Sequence, residues 1–153
     1  MRILILSLAL LAAACGAPQQ SAAPEAESAP MIIPRDAWAT PTPGGVAVSA
    51  GYVLIANGGD QADRLIGASS PRAGRVELHT MAMNDGVMEM NQIESIDVPG
   101  HGAADFTPGA NHLMFIDVTQ PFAVGEEIPV TLTFEHSGEV QVNFPVRAGG
   151  RGH

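Results

Sequence analysis

Hydrophobic and polar residues alternate along most of this chain in short runs, and residues that favour turns separate the runs. Alternation with a period of two is typical of strands that bury one face, and no window carries a convincing helical period. The clearest separator is Asn84-Asp85-Gly86, a strong hairpin signal. The runs are Val48–Asn57, Asp63–Ser69, Val76–Met83, Val87–Ile93, Ile96–Val98, His112–Thr119, Ile128–Glu135 and Val140–Val146. This pattern predicts an all-β protein, an antiparallel β-sandwich of about eight or nine strands.

The first 14 residues have the composition of an export signal. Arg2 supplies a positive charge, and the apolar stretch that follows it is shorter than the ~20 residues that span a bilayer. Ala12-Ala13-Ala14-Cys15 resembles a bacterial lipobox, in which cleavage precedes a cysteine that becomes lipidated. The alternative is an ordinary signal peptide with an incidental cysteine nearby. We expect Cys15 to be lipidated, because a free cysteine in an exported protein is a liability.

Residues 15–30 form the predicted anchor and flexible linker. After Cys15 the segment is rich in Ala, Pro, Ser, Gln and Glu and lacks the apolar periodicity of a packed element. The composition changes at Met31, so we expect residues 31–148 to form the folded domain and residues 149–153 a short tail. Gly16, and not an aspartate, follows Cys15, which resembles sorting to the outer membrane in Gram-negative bacteria. The expected location is therefore the periplasm, with anchoring in the outer membrane favoured.

Charge and cysteine content exclude several classes of function. The formal net charge is −9, and all seven basic residues are arginine. No basic patch is visible, which argues against nucleic acid as a partner and against electrostatic attachment to anionic lipid, so the lipid anchor is the only expected membrane contact. Because Cys15 is the only cysteine, the chain cannot form an internal disulfide, a CxxC redox motif or a blue-copper site with a thiolate ligand.

The candidate chemistry lies in His79, Met90, His112 and Met114. Two imidazoles and two thioethers form a soft donor set that suits Cu(I) better than Zn(II), which prefers thiolate, imidazole and carboxylate. Thioethers neither titrate nor form disulfides, so such a site tolerates an oxidising periplasm. His112 and Met114 are two residues apart on a predicted strand, so both project from one face and leave Leu113 to the core.

The predicted hairpin determines how the other two donors are placed. If Ala82 pairs with Val87 across the turn, His79 faces Met90 directly. The hairpin pair and the His-x-Met strand would then meet from opposite sides of one end of the sandwich, near the Gly-rich loop Pro99–Asn111.

Further methionines lie close to these donors along the chain. Met81 and Met88 face each other in the same register and are possible auxiliary metal donors, and Met83 is expected to pack or to form a soft rim. We expect His101 and His136 to be surface residues. No Ser-His-Asp grouping, acid–base pair or phosphate-binding loop is evident, so the sequence does not predict an enzyme.

The spacing His-x10-Met-x21-His-x-Met resembles the signature of the periplasmic copper chaperones of the PCuAC family. The resemblance extends over residues 38–148 and includes Asp63–Ser70, Gly74–His79, Gly86–Met88 and Pro108-Gly109. It implies a cupredoxin-like sandwich that binds one Cu(I) through His79, Met90, His112 and Met114. It also implies delivery of copper towards cytochrome c oxidase subunit II, directly or through assembly factors of that enzyme.

Two alternatives to a chaperone use the same residues differently. A copper-buffering or resistance protein would hold copper at the same site without a dedicated recipient. A β-sandwich interaction module would carry the His and Met cluster without metal. The sequence favours the Cu(I) chaperone because all four donor positions of the spacing are matched together.

Overall fold

A computed structural model describes residues 28–149, and every regular element in that range is a strand. The strands are β1 (Ile32–Ala39), β2 (Val48–Asn57), β3 (Asp63–Ser69), β4 (Ala73–Asn84), β5 (Val87–Ile93), β6 (Ile96–Val98), β7 (Ala103–Phe106), β8 (His112–Val118), β9 (Glu127–Phe134) and β10 (Gly138–Pro145). All strand pairs are antiparallel, which confirms the predicted fold class. Nowhere in the described range is there a helix long and apolar enough to cross a bilayer. The predicted export signal and Cys15 lie outside the described residues, as do residues 150–153.

The strands form one sheet that wraps into a nearly closed sandwich. Its order is β1-β2-β8-β4-β3-β9-β10, with β5 paired to β4, β6 to β3 and β7 to β2. The two ends of this order meet, because Ala39 forms a bridge with Val146 and accepts a 3.0 Å hydrogen bond from the backbone N–H of Arg147. Within this order, β8 lies between β2 and β4, although the three strands are distant in sequence.

The hydrophobic core lies between the walls and is dominated by phenylalanine. Phe115 makes edge-on contacts with Phe122 and Phe144, with ring centroids 5.3 and 6.4 Å apart. Along β2 the residues from Val48 to Asn57 alternate strictly between partly exposed and buried, as expected for a strand with one face on the core. The outer face of this wall is left free to carry other chemistry.

Two strands were not among the predicted runs. In β1 a bulge between Arg35 and Trp38, with Asp36 at a φ of 52°, interrupts the alternation that would have marked the strand. Strand β7 lies inside the segment predicted as a Gly-rich loop, where Ala104 and Phe106 are buried against the core. Both strands gain their stability from pairing with β2, which the sequence does not display.

The predicted register of the β4–β5 hairpin is wrong by two residues. Met81, and not His79, pairs with Met90. The strands are joined by the two-residue turn Asp85-Gly86, whose φ angles of 47° and 84° match a type I′ turn. Such a turn has the twist of the flanking strands, so it prevails over the longer loop that the predicted register required. Because a shift of two residues preserves strand parity, His79 and Met90 still project from the same face.

Gly51 on β2 permits the close packing of this wall, and we predict that Gly51→Ala destabilises the protein. A Cβ atom at this position would lie 2.7 Å from Cε2 of Phe115, whose ring is held by its neighbours in the core. Overpacking of this kind costs about 1–3 kcal/mol. Urea denaturation measures the loss, and Gly67→Ala is the matched control because a Cβ there meets no atom within 4 Å. Equal destabilisation by the two changes would contradict the argument.

Candidate metal centre

Strand β8 carries two of the predicted donors on the outer face of the sheet. Leu113 and Phe115 are fully buried in the core, so His112 and Met114 project from the other side of the strand. His112 is nevertheless only 5% exposed, since the neighbouring strands and the turn before β8 cover its ring. The strand thus supplies one imidazole and one thioether to the same outer surface.

The pairing of β4 with β8 brings the second imidazole to this surface. His79 lies directly opposite His112, and the centroids of the two rings are 5.6 Å apart. Glu77 lies opposite Met114 in the same pairing. The hairpin and the His-x-Met strand therefore lie side by side within one sheet, and the prediction that they approach from opposite sides is wrong.

The β4–β5 hairpin contributes methionines to the same face. Met81 follows His79 by two residues and pairs with Met90, so all three side chains share one side of the hairpin. The backbone N–H of Met81 donates a 3.2 Å hydrogen bond to the carbonyl of Ala110, which holds the hairpin against the turn that precedes β8. The site lies next to the end of the Pro99–Asn111 segment as a result.

An open pocket of about 380 Å³ lies on this face between the hairpin, β8 and β2. Its walls are mainly apolar and contain no carboxylate, and His79 lies just outside it beside His112. The lining residues are Thr40, Pro43, Val46, Val48, Ser49, Ala50, Tyr52, Met81, Met90, Gly109, His112 and Met114. Such walls favour a soft ion over a hard cation that requires oxygen ligands.

The hydrogen bonds of His112 leave one particular nitrogen free. Its Nδ1 lies 3.3 Å from the carbonyl oxygen of Ala110. A carbonyl only accepts, so Nδ1 carries the proton and Nε2 keeps its lone pair. Burial lowers the pKa of His112, because the charged imidazolium loses its hydration there. His112 is therefore neutral near physiological pH and offers Nε2 as a donor.

His79 offers the opposite nitrogen. Its Nε2 lies 2.9 Å from a carboxylate oxygen of Glu77, so Nε2 carries the proton. Its Nδ1 is buried and has no hydrogen-bond partner. A buried acceptor without a partner costs about 1–3 kcal/mol and requires an explanation. A bound metal would supply that missing partner, so the residues present fit a metal ion.

The rest of the described chain does not offer a conventional metal site. Between residues 28 and 149 there is no group of three or more His, Cys, Asp or Glu side chains that could hold an ion. On the face described above, methionine sulfur is the donor type that stands beside the two imidazoles.

Comparison with known proteins identifies the family. The model of the family described as "Putative lipoprotein LpqE-like" matches residues 32–146. The chain belongs to this family. It is 31% identical over 116 residues to a protein of Rickettsia prowazekii and 27% identical over 104 residues to a protein of Leifsonia xyli that is also named as a putative lipoprotein. These matches cover 71% and 67% of the chain but 62% and 63% of the two relatives, so the chain spans less than two thirds of their length.

Solved structures resemble this LpqE-like protein over most of the folded part. The copper-bound PCuAC domain from PmoF2 is 27% identical, with a TM-score of 0.67, and the match covers 82% of this chain and 100% of that one. CuI-DR1885 from Deinococcus radiodurans is 26% identical, with a TM-score of 0.54 and coverage of 74% and 78%. The likeness to PCuAC domains confirms the resemblance first indicated by the spacing of His and Met.

Glu77, which sequence analysis did not single out, orients His79 in the LpqE-like protein. One of its oxygens accepts the His79 proton and the other accepts a 2.8 Å hydrogen bond from Nε of Arg75. Arg75 also donates to Asp117 at 2.9 Å, so the guanidinium that contacts Glu77 is itself held by a second carboxylate. The hydrogen bonds from His79 and Arg75 lower the pKa of Glu77 and keep it ionised. Glu77 precedes His79 by two residues on a predicted strand, so the sequence already indicated that both side chains lie on one face.

An aromatic wall on the β2 side was also missed. Tyr52 lines the pocket. The centroid of its ring lies 6.4 Å from the ring centroid of His112 and 4.5 Å from that of Trp38. Burial raises the pKa of Tyr52, which keeps its phenol neutral. The alternation of β2 indicated that Tyr52 faces outwards, but the proximity of β2 to β8 depends on the topology. His101 and His136 lie elsewhere, and His101 is exposed and contacts Asp60.

We predict that Glu77 determines the tautomer of His79. Glu77→Leu removes the acceptor of the Nε2 proton, so the Nδ1–H tautomer should gain population. Glu77→Gln retains a carbonyl oxygen at this position and should preserve the Nε2–H form. Long-range ¹H–¹⁵N NMR spectra of the imidazole nitrogens, recorded above neutral pH, measure the tautomer, with His112 as internal control. An Nδ1–H form of His79 in the unaltered protein would contradict the assignment.

Proposed function

We propose that this protein is an envelope Cu(I) chaperone that binds one ion through His79, Met90, His112 and Met114. The observation that carries the proposal is the buried, unpartnered Nδ1 of His79 in a ring whose centroid lies 5.6 Å from that of His112, where Nε2 is free. Met114 follows His112 on β8, and Met90 lines the same pocket. Met81 lines it too and is the better placed of the two auxiliary donors, since Met88 lies further along the hairpin.

The donor set selects Cu(I) by its softness. Thioether and imidazole suit Cu(I), whereas Zn(II) and Cu(II) bind better where carboxylate, thiolate or additional nitrogen is available. The similar solved structures support this choice, because the PCuAC domain from PmoF2 is copper-bound and DR1885 is in its CuI form. The protein performs no covalent chemistry in this role, and copper is its cargo.

Release follows from the exposure of the donors. Met90 is 47% exposed, whereas His112 is 5% exposed. A partner can therefore approach the ion from the side of Met90, whereas the buried imidazole of His112 is shielded from incoming ligands. Copper remains Cu(I) throughout, since only ligands are exchanged.

The recipient and the location are parts of the same proposal. The resemblance to PCuAC domains favours the copper site of cytochrome c oxidase subunit II, or its assembly factors, as the destination. The family description as a lipoprotein supports lipidation of Cys15 and a periplasmic position, with the outer membrane of a Gram-negative bacterium favoured. The linker of residues 15–30 would let the domain reach a partner from its anchor.

We predict that the purified protein binds one equivalent of Cu(I) and prefers it to Zn(II). Competition with a colorimetric Cu(I) chelator measures the affinity. His79→Ala and Met114→Leu should each weaken binding by at least roughly tenfold, because even loss of a group that only orients a ligand costs ~10–100-fold. Met31→Leu is the matched control, since Met31 is exposed and lies just before β1. No binding, or equal preference for Zn(II), would refute the proposal.

The physiological role is tested in the host bacterium. Deletion should impair cytochrome c oxidase assembly when copper is scarce, and the unaltered gene, but not the His79→Ala form, should restore it. Copper sensitivity with intact oxidase would favour the buffering alternative and contradict the chaperone.

Cys15→Ala should shift the protein from the membrane fraction to the soluble fraction.

A further inference from the structure

Five of the seven methionines in the chain lie on one face of the sheet. The proposed site, with two histidines and two methionines, requires only two of them. We call this set, Met81, Met83, Met88, Met90 and Met114, the methionine face. Those on the hairpin share one side because residues 81 and 83 have the same strand parity as His79 and pair with residues 90 and 88. The other side of the hairpin carries Thr80, Ala82, Asn84, Val87, Glu89 and Asn91 and no methionine.

The outer methionines do not serve as core filler. Met83 is 65% exposed and Met88 is 48% exposed. Methionine in a hydrophobic core fills gaps, but these two side chains have no gap to fill. Exposing two apolar side chains at the end of a hairpin is locally unfavourable. Their position on the same face as the proposed donors therefore points to a role for the thioether sulfur.

The hairpin arranges these thioethers in successive pairs. Met81 lies directly opposite Met90, and Met83 directly opposite Met88. Opposite residues of an antiparallel pair have Cβ atoms about 4.5–5.5 Å apart, so each pair can offer two sulfurs to one soft ion. The next pair along the strands is about 7 Å away, which flexible methionine side chains can bridge. Exposure rises from the buried His112 to the tip of the hairpin.

We propose that the methionine face is the path by which Cu(I) enters and leaves the metal centre, with Met83 and Met88 as its outer step. This inference rests on the proposed function. Copper would move from the His and Met donors to Met81 and Met90 and then to Met83 and Met88, where a partner's ligand takes it. Each step forms one Cu–S contact before another is lost, and the ion remains Cu(I). The outer pair binds the ion weakly, because it has no imidazole and is open to water.

Transfer kinetics test the path. The unaltered protein is loaded with one equivalent of Cu(I) and mixed with an excess of a chromophoric Cu(I) chelator in a stopped-flow instrument. The double variant Met83→Leu/Met88→Leu keeps the apolar surface and removes both outer sulfurs. Its equilibrium affinity should stay within about twofold of the unaltered protein, while its transfer rate should fall by roughly tenfold. Met31→Leu, an equally exposed methionine away from this face, should change neither.

Direct occupancy of the outer pair provides a second measurement. Ag(I), a redox-inert stand-in for Cu(I), is added while the methionine methyl groups are followed by ¹H–¹³C NMR. The first equivalent should shift Met90 and Met114, and the second should shift Met83 and Met88.

The outcomes separate the path from the proposed function. No Cu(I) binding by the unaltered protein would overturn both. One tightly bound Cu(I) with unchanged transfer in the leucine variant and no methyl shift at the second equivalent would overturn the path alone. Normal transfer in the leucine variant but slow transfer in Met83→Gln/Met88→Gln would also overturn it, because apolar contact rather than sulfur would then matter.

Discussion

The pairing of β4 with β8 is the constraint on which the proposed metal centre depends. It places His79 opposite His112 on the outer face and, one residue away on each strand, Leu78 opposite Leu113 on the core face. A slip of β4 by one residue would expose Leu78 and bury the imidazole of His79. Burial of a leucine is worth about 1.5–3 kcal/mol. Hydrophobic packing on one face of the sheet therefore fixes the donors on the other. The two proposed methionine donors follow by parity. Met114 is two residues from His112, and Met90 pairs with Met81, which is two residues from His79.

Local hydrogen bonds then give the two histidines different roles. His112 donates from Nδ1 to the carbonyl of Ala110, whereas His79 donates from Nε2 to Glu77. Each bond fixes a tautomer and leaves the other nitrogen as a lone-pair donor. The backbone carbonyl is fixed by the turn before β8, while the carboxylate is held by Arg75. The orientation of His112 thus depends on the backbone fold, whereas the orientation of His79 depends on the charged side chains of Glu77 and Arg75.

The sequence predicted the features that depend on local pattern and missed those that depend on topology. Alternation identified the strands that form the walls, and the spacing of His and Met selected residues that share one face. The hairpin register was wrong because Asp85-Gly86 closes a two-residue turn, yet the two-residue error preserved parity and so left the shared face unchanged. Tyr52 and Glu77 were not identified as part of the centre. Tyr52 belongs to the centre because β2 is the neighbour of β8, which spacing along the chain does not encode. The spacing of Glu77 and His79 indicates a shared strand face, but it does not indicate that the imidazole donates to the carboxylate.

Features that are unfavourable by themselves coincide on the outer face. The lone pair of His79 is buried without a partner, and Met83, Met88 and Met90 expose apolar side chains to water. A sequence selected for stability alone would avoid each of these, and departures from local consistency are expected where function requires them. Both are favourable once a soft ion is bound, because the ion supplies the missing partner and the sulfurs become ligands. A thiolate would bind copper more tightly, but it would oxidise outside the cytoplasm and would resist release. In the proposed chaperone, weak donors arranged by rising exposure would satisfy both demands. The buried donors would retain the ion, and the exposed methionines of the hairpin would exchange it.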